Sequence, residues 1–355
     1  MKNRKTYEKE KMKITKEVSK VMDNIINQAF SEMDLVSVNF MKKLYDGRRN
    51  RALNGGRLRD IVVQLSLNSC GIKRLNLDHL KIIAAGEFYN MASYYQNWHL
   101  DDKKEVKTEV DKKLCHIASH FFRELAEKTI LDTALKDKIK LRLLKEISES
   151  NEAIQVGQSF ELNFLNIANF DKLNESNIKD FYTKRAYLFS GRFYGCSFAM
   201  GPIMAGKSEK IIELFKQVGS WFGTGAQIIN DAGDFCLNMN IAKNPEKDYQ
   251  DQFADLEKGT ITFVVWALSQ FVDIKQYAGK KLSNTEKEYL LKAMLKNRCF
   301  DSTRKITNDY RNKMIKQLDN LQKSEYVDEL KMVIKTFFNA NKFYVNLREE
   351  YGYNW

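Results

Sequence analysis

Only two prolines, Pro202 and Pro245, interrupt a chain of 355 residues, and this scarcity constrains the fold more than any other feature. Proline breaks helix interiors because it lacks a backbone N–H and its ring collides with the preceding turn. A chain nearly free of it can run in long helices, and its apolar residues recur at three- and four-residue spacing rather than in strict alternation. The expectation is an all-α, single-domain helical bundle. Its helices are predicted at about 21–45, 57–70, 76–98, 103–131, 134–164, 175–204, 208–240, 259–273, 285–298, 302–322 and 326–349, broken by short polar or glycine-containing turns. Residues 1–20 read as a charged, flexible extension and 21–355 as the domain, with no repeat and no linker inside it. An apolar content of 43% is ample for its core.

Two segments, 80–98 (LKIIAAGEFYNMASYYQNW) and 187–205 (YLFSGRFYGCSFAMGPIMA), are apolar around most of a helical circumference. Such helices belong in the middle of a bundle, where they would wall a central apolar cavity. No apolar run approaches the roughly 20 residues that span a bilayer, and the N-terminal MKNRKTYEKEKMKITKE is too charged for a secretory signal. The five cysteines stand singly, without metal-type spacing, and their odd number argues against a disulfide framework. A soluble, cytoplasmic protein with reduced thiols follows. The net charge of +12 is spread along every helix, and no nucleic-acid-binding signature accompanies it, so nucleic acid is not the expected partner.

Acids are dense at two places beside apolar helix. In HLDDKKE, Asp101 and Glu105 are four apart and share a helix face, with Asp102 adjacent. In QIINDAGDFCLN, Asn230, Asp234 and Asn238 form a ladder at four-residue spacing beside Asp231. These are oxygen donors without thiolate or imidazole, a set that suits Mg²⁺ completed by water and phosphate. The second group follows the apolar run VGSWFGTGAQII, and carboxylates buried there require a metal or a cationic partner. His116 and His120 share a face four residues apart, but no third ligand accompanies them in sequence.

Five segments, in order, resemble motifs of the trans-isoprenyl diphosphate synthases, the polyprenyl synthetase family. NGGRLRD (54–60) resembles the opening glycine-basic motif, GQSFEL (157–162) a mid-chain GQxxDL, and TKRAYLF (183–189) KTAxLF. GAQIINDAGD (225–234) is similar to the second aspartate-rich motif FQxxDDxxD, and DLEKGTITF (255–263) to the DLxxGKxTLP after it. The resemblance implies a Mg²⁺-dependent prenyltransferase, a homodimer, that ionises an allylic diphosphate and condenses it with isopentenyl diphosphate to a short-chain product. It implies metal ligands at Asp101, Asp102, Glu105, Asn230, Asp231, Asp234 and Asn238. Lys184 and Gln227 would act with Asp101 and Asp234 in catalysis, while Arg57, Arg59, Gln158 and Lys258 would contact the diphosphates. Tyr94, Tyr95 and Trp98, before the first acidic motif, would floor the cavity and limit chain length, unless they simply pack against neighbouring helices.

The chain departs from the family pattern at several positions. Gly56 stands at the opening motif's lysine, Asn230 at the leading aspartate of the second acidic motif, and Thr260 at the lysine after DLEKG. The first acidic motif aligns either with Asn97 and Trp98 at the paired aspartates or, with one extra helical turn, as Asp101, Asp102 and Glu105. The double arginine that normally follows has Lys112 and Lys113 as its nearest substitute. These losses fall mainly on the isopentenyl diphosphate side. Two alternatives therefore stand beside elongation: a terpene synthase or a prenyltransferase with another acceptor, since Asn230, Asp234 and Asn238 have a cyclase-like spacing, and a catalytically idle partner subunit.

Overall fold

The computed structural model describes residues 2–31, 35–55, 58–100, 108–235, 252–339 and 342–354. Among them are fifteen α-helices and no strand. In chain order they are α1 (Lys2–Ser31), α2 (Leu35–Gly55), α3 (Leu58–Ser69), α4 (Leu77–Leu100), α5 (Glu109–Leu131), α6 (Asp137–Phe164), α7 (Glu175–Ala186) and α8 (Arg192–Met204). There follow α9 (Glu209–Gly233), α10 (Ala254–Glu257), α11 (Phe263–Ser269), α12 (Asn284–Lys296), α13 (Asp301–Leu318), α14 (Glu325–Asn339) and α15 (Lys342–Tyr351). The all-α expectation holds. No helix among the described residues is long and apolar enough to cross a membrane.

Two compact units emerge from the contacts. The first comprises 1–147, 197–213 and 324–329; the second comprises 148–196, 214–323 and 330–355. In the first, α1 buries Ile14, Val18, Met22 and Ile26, spaced by four along one face. Ile14 and Val18 fall within the stretch that the sequence suggests is a flexible extension. Asp23 of α1 accepts hydrogen bonds from Tyr45 and Arg49 of α2, at 2.7 and 2.6 Å. The apolar helix α4 lies on α5, with Phe88 and Tyr95 stacked on Phe122 at centroid distances of 6.3 and 5.8 Å. Helix α5 opens at Glu109 rather than near 103 because Thr108 and Asp111 form a reciprocal capping box.

In the second unit, the helix predicted over 175–204 is interrupted. Residues Tyr187–Gly191 form a π turn between α7 and α8, which takes up one residue more than an α turn and so rotates the helix beyond it by about 100°. Two glycines of α9 allow close approach of neighbouring elements. A Cβ on Gly223 would lie 2.2 Å from the Ser190 carbonyl oxygen in the π turn, and one on Gly225 would lie 2.6 Å from the Phe338 ring. The helix predicted over 259–273 begins later, at Phe263, for two local reasons. Gly259 adopts φ +83°, open to glycine without penalty, and Thr262 caps the first turn of α11 by accepting from the Val265 N–H.

Two substitutions in α9 separate close packing from helix propensity. Gly223→Ala should destabilise the fold by about 1–3 kcal/mol, since backbone must move to admit the methyl. Gly233→Ala meets nothing within 4 Å and should be neutral or stabilising by about 0.5–1 kcal/mol. Urea denaturation followed by circular dichroism measures both; equal midpoints would contradict the packing assigned to Gly223.

Candidate active site

Four of the five family-like segments meet in the second unit, in one polar cluster that includes Asp231. Asp231, in the last turns of α9, is 2% exposed. Its Oδ2 accepts from the Tyr182 hydroxyl and from Arg185 Nη1, both at 2.8 Å and both from α7. Its Oδ1 accepts from Gln227, one turn earlier on α9, at 2.6 Å. The second terminal nitrogen of Arg185 pairs with Glu161 of α6. GQSFEL thus supplies Glu161, TKRAYLF supplies Arg185, and GAQIINDAGD supplies Gln227 and Asp231. DLEKGTITF adds Asp255, whose backbone N–H donates to Asp234 Oδ2 at 3.1 Å. That last segment is also stitched to the end of α6: Ile167 N–H donates to the Gly259 carbonyl at 2.8 Å and Ile261 N–H to the Leu165 carbonyl at 2.9 Å.

The electrostatics of the cluster follow from its composition. Burial alone would depress the Arg185 guanidinium, but Asp231 and Glu161 beside it raise it above the ordinary arginine range. Burial and then the Asp231 carboxylate push the Tyr182 hydroxyl well above the usual tyrosine range. Asp255 is pushed well above the usual carboxylate range, first by burial and then by Asp234 and Asp231. Arg185 thus pairs directly with two carboxylates, Asp231 and Glu161, while Asp255 is linked to Asp234 through its backbone N–H.

Other residues marked in the sequence are placed differently. Lys184 is exposed, with Nζ 5.6 Å from the centre of the Phe160 ring, while its neighbour Arg185 is the cation that enters the cluster. Asn230 and Lys258 are exposed, and Gln158 and Asp234 are half-buried. In the first unit, Arg59 donates to Asn90 at 2.6 Å. Tyr94, Tyr95 and Trp98 pack on one another with centroid distances of 5.0–5.6 Å. Tyr95 is buried and donates to the Leu44 carbonyl at 2.6 Å, whereas Tyr94 and Trp98 are half-buried. Arg48 stacks over Tyr94 at 3.7 Å, and burial holds its guanidinium below the usual range despite Tyr94 and Glu87 nearby. Arg57, Asp101, Asp102, Glu105 and Asn238 lie outside the described residues.

Sequence inspection alone misses Arg48, Glu161, Tyr182, Arg185 and Asp255 as site residues. Three of these five sit inside the quoted motifs, and the requirement that buried acid at 230–234 find a cation was the available signal for Arg185. The His116 ring lies 4.7 Å from that of His120 and 5.0 Å from that of His99.

Of the acids in the second motif, Asp231 has most of its oxygen lone pairs engaged by protein donors. Three hydrogen bonds fill most of its roughly four acceptor positions. Among the described residues, no three His, Cys, Asp or Glu side chains are grouped to hold a metal ion.

No family model and no curated protein matches the sequence. Solved structures match the fold along nearly its whole length. The geranylgeranyl pyrophosphate synthetase of Pyrococcus horikoshii Ot3 superposes with a TM-score of 0.72 at 21% identity, covering 94% of this chain and 99% of that one. The heptaprenyl diphosphate synthase of Staphylococcus aureus gives 0.71 at 20%, covering 93% and 99%. The geranylgeranyl pyrophosphate synthase of Corynebacterium glutamicum, complexed with isoprenyl diphosphate and magnesium, gives 0.75 at 15%, again covering 93% and 99%. The chain shares the all-α fold of these trans-prenyl diphosphate synthases.

The cluster predicts a graded response to substitution. Tyr182→Phe removes one donor from a buried carboxylate and should cost about 1–3 kcal/mol. Arg185→Met leaves Asp231 and Glu161 without their cation and should cost about 3–5 kcal/mol, the usual penalty for breaking a buried pair. Chemical denaturation of both variants reads the order; a loss for Arg185→Met no larger than for Tyr182→Phe would mean the ion pair is not what holds α6, α7 and α9 together.

Proposed function

We propose that the protein is a divergent member of the trans-prenyl diphosphate synthase family, a prenyltransferase that acts on an allylic diphosphate. The observation that carries this reading is the convergence of GQSFEL, TKRAYLF, GAQIINDAGD and DLEKGTITF on one polar cluster, within the fold those enzymes share. Segments more than 90 residues apart in sequence, from Glu161 to Asp255, resemble the family's motifs and also meet in space.

In the proposed reaction the allylic C–O bond breaks and its electron pair leaves with the diphosphate. The double bond of isopentenyl diphosphate then attacks the allylic cation, and loss of a proton restores an alkene. A water-excluding apolar interior protects such a cation, and fixed charges stabilise the leaving group. Arg57 and Arg59 are the proposed diphosphate contacts of the first unit, and Lys258 that of the second. Magnesium, present with the Corynebacterium glutamicum enzyme, enters the proposal through Asp101, Asp102 and Glu105 of the first acidic motif rather than through Asp231. A cytoplasmic homodimer completes the reading. Support for the dimer comes from the exposed apolar side chains Val110, Ile117, Leu131 and Leu141 along α5 and α6. The buried thiols at Cys70, Cys115 and Cys299, each pushed up to about 11 by burial, are poor nucleophiles and take no part in the proposed chemistry.

A second reading, that of a catalytically idle subunit, is favoured by one specific observation: Lys184 faces outward while Arg185 neutralises the acid of the second motif. Incubation of allylic diphosphates with labelled isopentenyl diphosphate, across a magnesium titration, decides between them. Incorporation into a longer prenyl diphosphate is the expected outcome, and Asp234→Asn should slow it by about tenfold or more, equivalent to about 1.4 kcal/mol of barrier. Hydrocarbon released from the allylic diphosphate alone would move the assignment to a terpene synthase. No product under any condition would leave the idle subunit.

Product length offers a separate measurement on the first unit. Tyr94→Ala, which spares the buried Tyr95, should lengthen the product if the half-buried ring floors the cavity. An unchanged chain-length distribution in an active variant would place the limit elsewhere.

A further inference from the structure

In the second unit a cleft of about 410 Å³ opens between α13 and α14. Arg311, Ile315 and Asp319 follow one another at four-residue spacing along α13 and its cap, and Lys331, Lys335 and Asn339 do the same along α14. Two contacts close the ends of the cleft. Arg311 Nη1 donates to Asn339 Oδ1 at one end, and Lys331 pairs with Asp319 at 2.6 Å at the other. Between these ends lie Ile315 and Lys316 on one wall and Lys335 on the other. Both lysines are exposed, and neither makes a hydrogen bond or a close ion pair among the described residues.

The lining carries three cations, Arg311, Lys316 and Lys335, against the single carboxylate of Asp319, which Lys331 already neutralises and holds below the usual aspartate range. Arg311 is half-buried, and every partner of its guanidinium is a neutral amide: Nε and the second terminal nitrogen donate to Asn312 Oδ1 at 3.3 and 3.1 Å. Burial, and then Arg304 nearby, hold it below the ordinary arginine range. A guanidinium drawn partly out of water, beside another cation and without an acid, is destabilised in a way that a bound anion would relieve. With their oxygens on Arg311, Asn312 and Asn339 have only N–H donors left to offer. We propose that this cleft binds a phosphate-bearing anion, free or carried on a small molecule, between Arg311, Lys316 and Lys335. A forked guanidinium with two mobile ammonium groups suits a multiply charged oxyanion better than chloride or a lone carboxylate. None of these residues falls in the family-like segments, so the site stands apart from the proposed prenyl transfer.

Lysine acetylation of the full-length protein, read residue by residue by mass spectrometry, tests this without prenyl substrate or metal, so its outcome is distinguishable from that of the proposed reaction. Inorganic phosphate, inorganic diphosphate and glycerol phosphate are each titrated against sodium chloride of equal ionic strength. An anion present at about ten times its Kd should slow acetylation of Lys316 and Lys335 about tenfold, while the exposed Lys296 of α12 is unaffected. Protection by inorganic phosphate assigns the site to the free ion; protection by diphosphate or glycerol phosphate alone assigns it to a larger phosphate-bearing molecule, and either supports the proposal. Arg311→Gln should weaken the protection about tenfold, a loss of about 1.4 kcal/mol. Asn339→Asp sets a carboxylate against Arg311 in place of the amide and should abolish protection in a protein that remains folded. The proposal is overturned if none of the three anions protects, if chloride protects equally, or if protection survives undiminished in Asn339→Asp.

Discussion

Neutralisation of one buried carboxylate organises the second unit. Asp231 cannot be withdrawn from water by itself, since the desolvation of a lone carboxylate amounts to several kcal/mol. The compensating groups are Arg185 and Tyr182 from α7 and Gln227 from one turn earlier on α9. Arg185 binds α7 to α9 and to α6 at the same time, so the positions of three helices are set by the reach of a single fork. Tyr182 and Gln227 fix the orientation of the carboxylate itself. Aromatic packing adjoins this polar centre, where Tyr182 stacks on Phe263 at 5.9 Å, and continues farther along α9, where Phe222 meets Phe337 and Phe338. A charged cluster inside such surroundings favours one arrangement strongly, because every alternative strands a charge.

The first unit uses a different economy of contacts. Its core is aliphatic and aromatic, and its polar links, Asp23 with Tyr45 and Arg49 and Tyr95 with the Leu44 carbonyl, tie α2 back to α1 and α4. Arg48 and Arg59 both reach towards α4, one over the Tyr94 ring and one onto Asn90. Two cations are thereby held on the apolar helix that carries the aromatics preceding the first acidic motif.

Much of the fold was legible because helical periodicity is a local signal. The spans of α3, α4, α6 and α12 fall within a few residues of those predicted, and caps at Thr108 and Ser283 account for where α5 and α12 open. What periodicity could not supply was the break at Gly259, which depends on a positive φ, or the helical packing of α1, which depends on neighbours remote in sequence. The acidic character of the site was equally visible, as was its need for a cation. The identity of that cation was not, because Arg185 is distinguished from Lys184 only by the direction in which it points. Nothing in TKRAYLF encodes direction until the helix is phased against its neighbours.

That phasing is where the π turn at Tyr187–Gly191 acts. A pattern comparison treats the segment from Tyr182 to Gly195 as one uninterrupted helix and counts residues across it as if each advanced the face equally. The π turn inserts a slip in that count. Side chains before it, Tyr182 and Arg185, address the carboxylates of α9, while Gly191 and Gly195 beyond it lie against Ser220 and Thr224 of the same helix. Motifs anchored on opposite sides of the turn are therefore read in different frames. For chains of this divergence, an aligned letter and an equivalent position in space are separate facts, and a single widened turn is sufficient to part them.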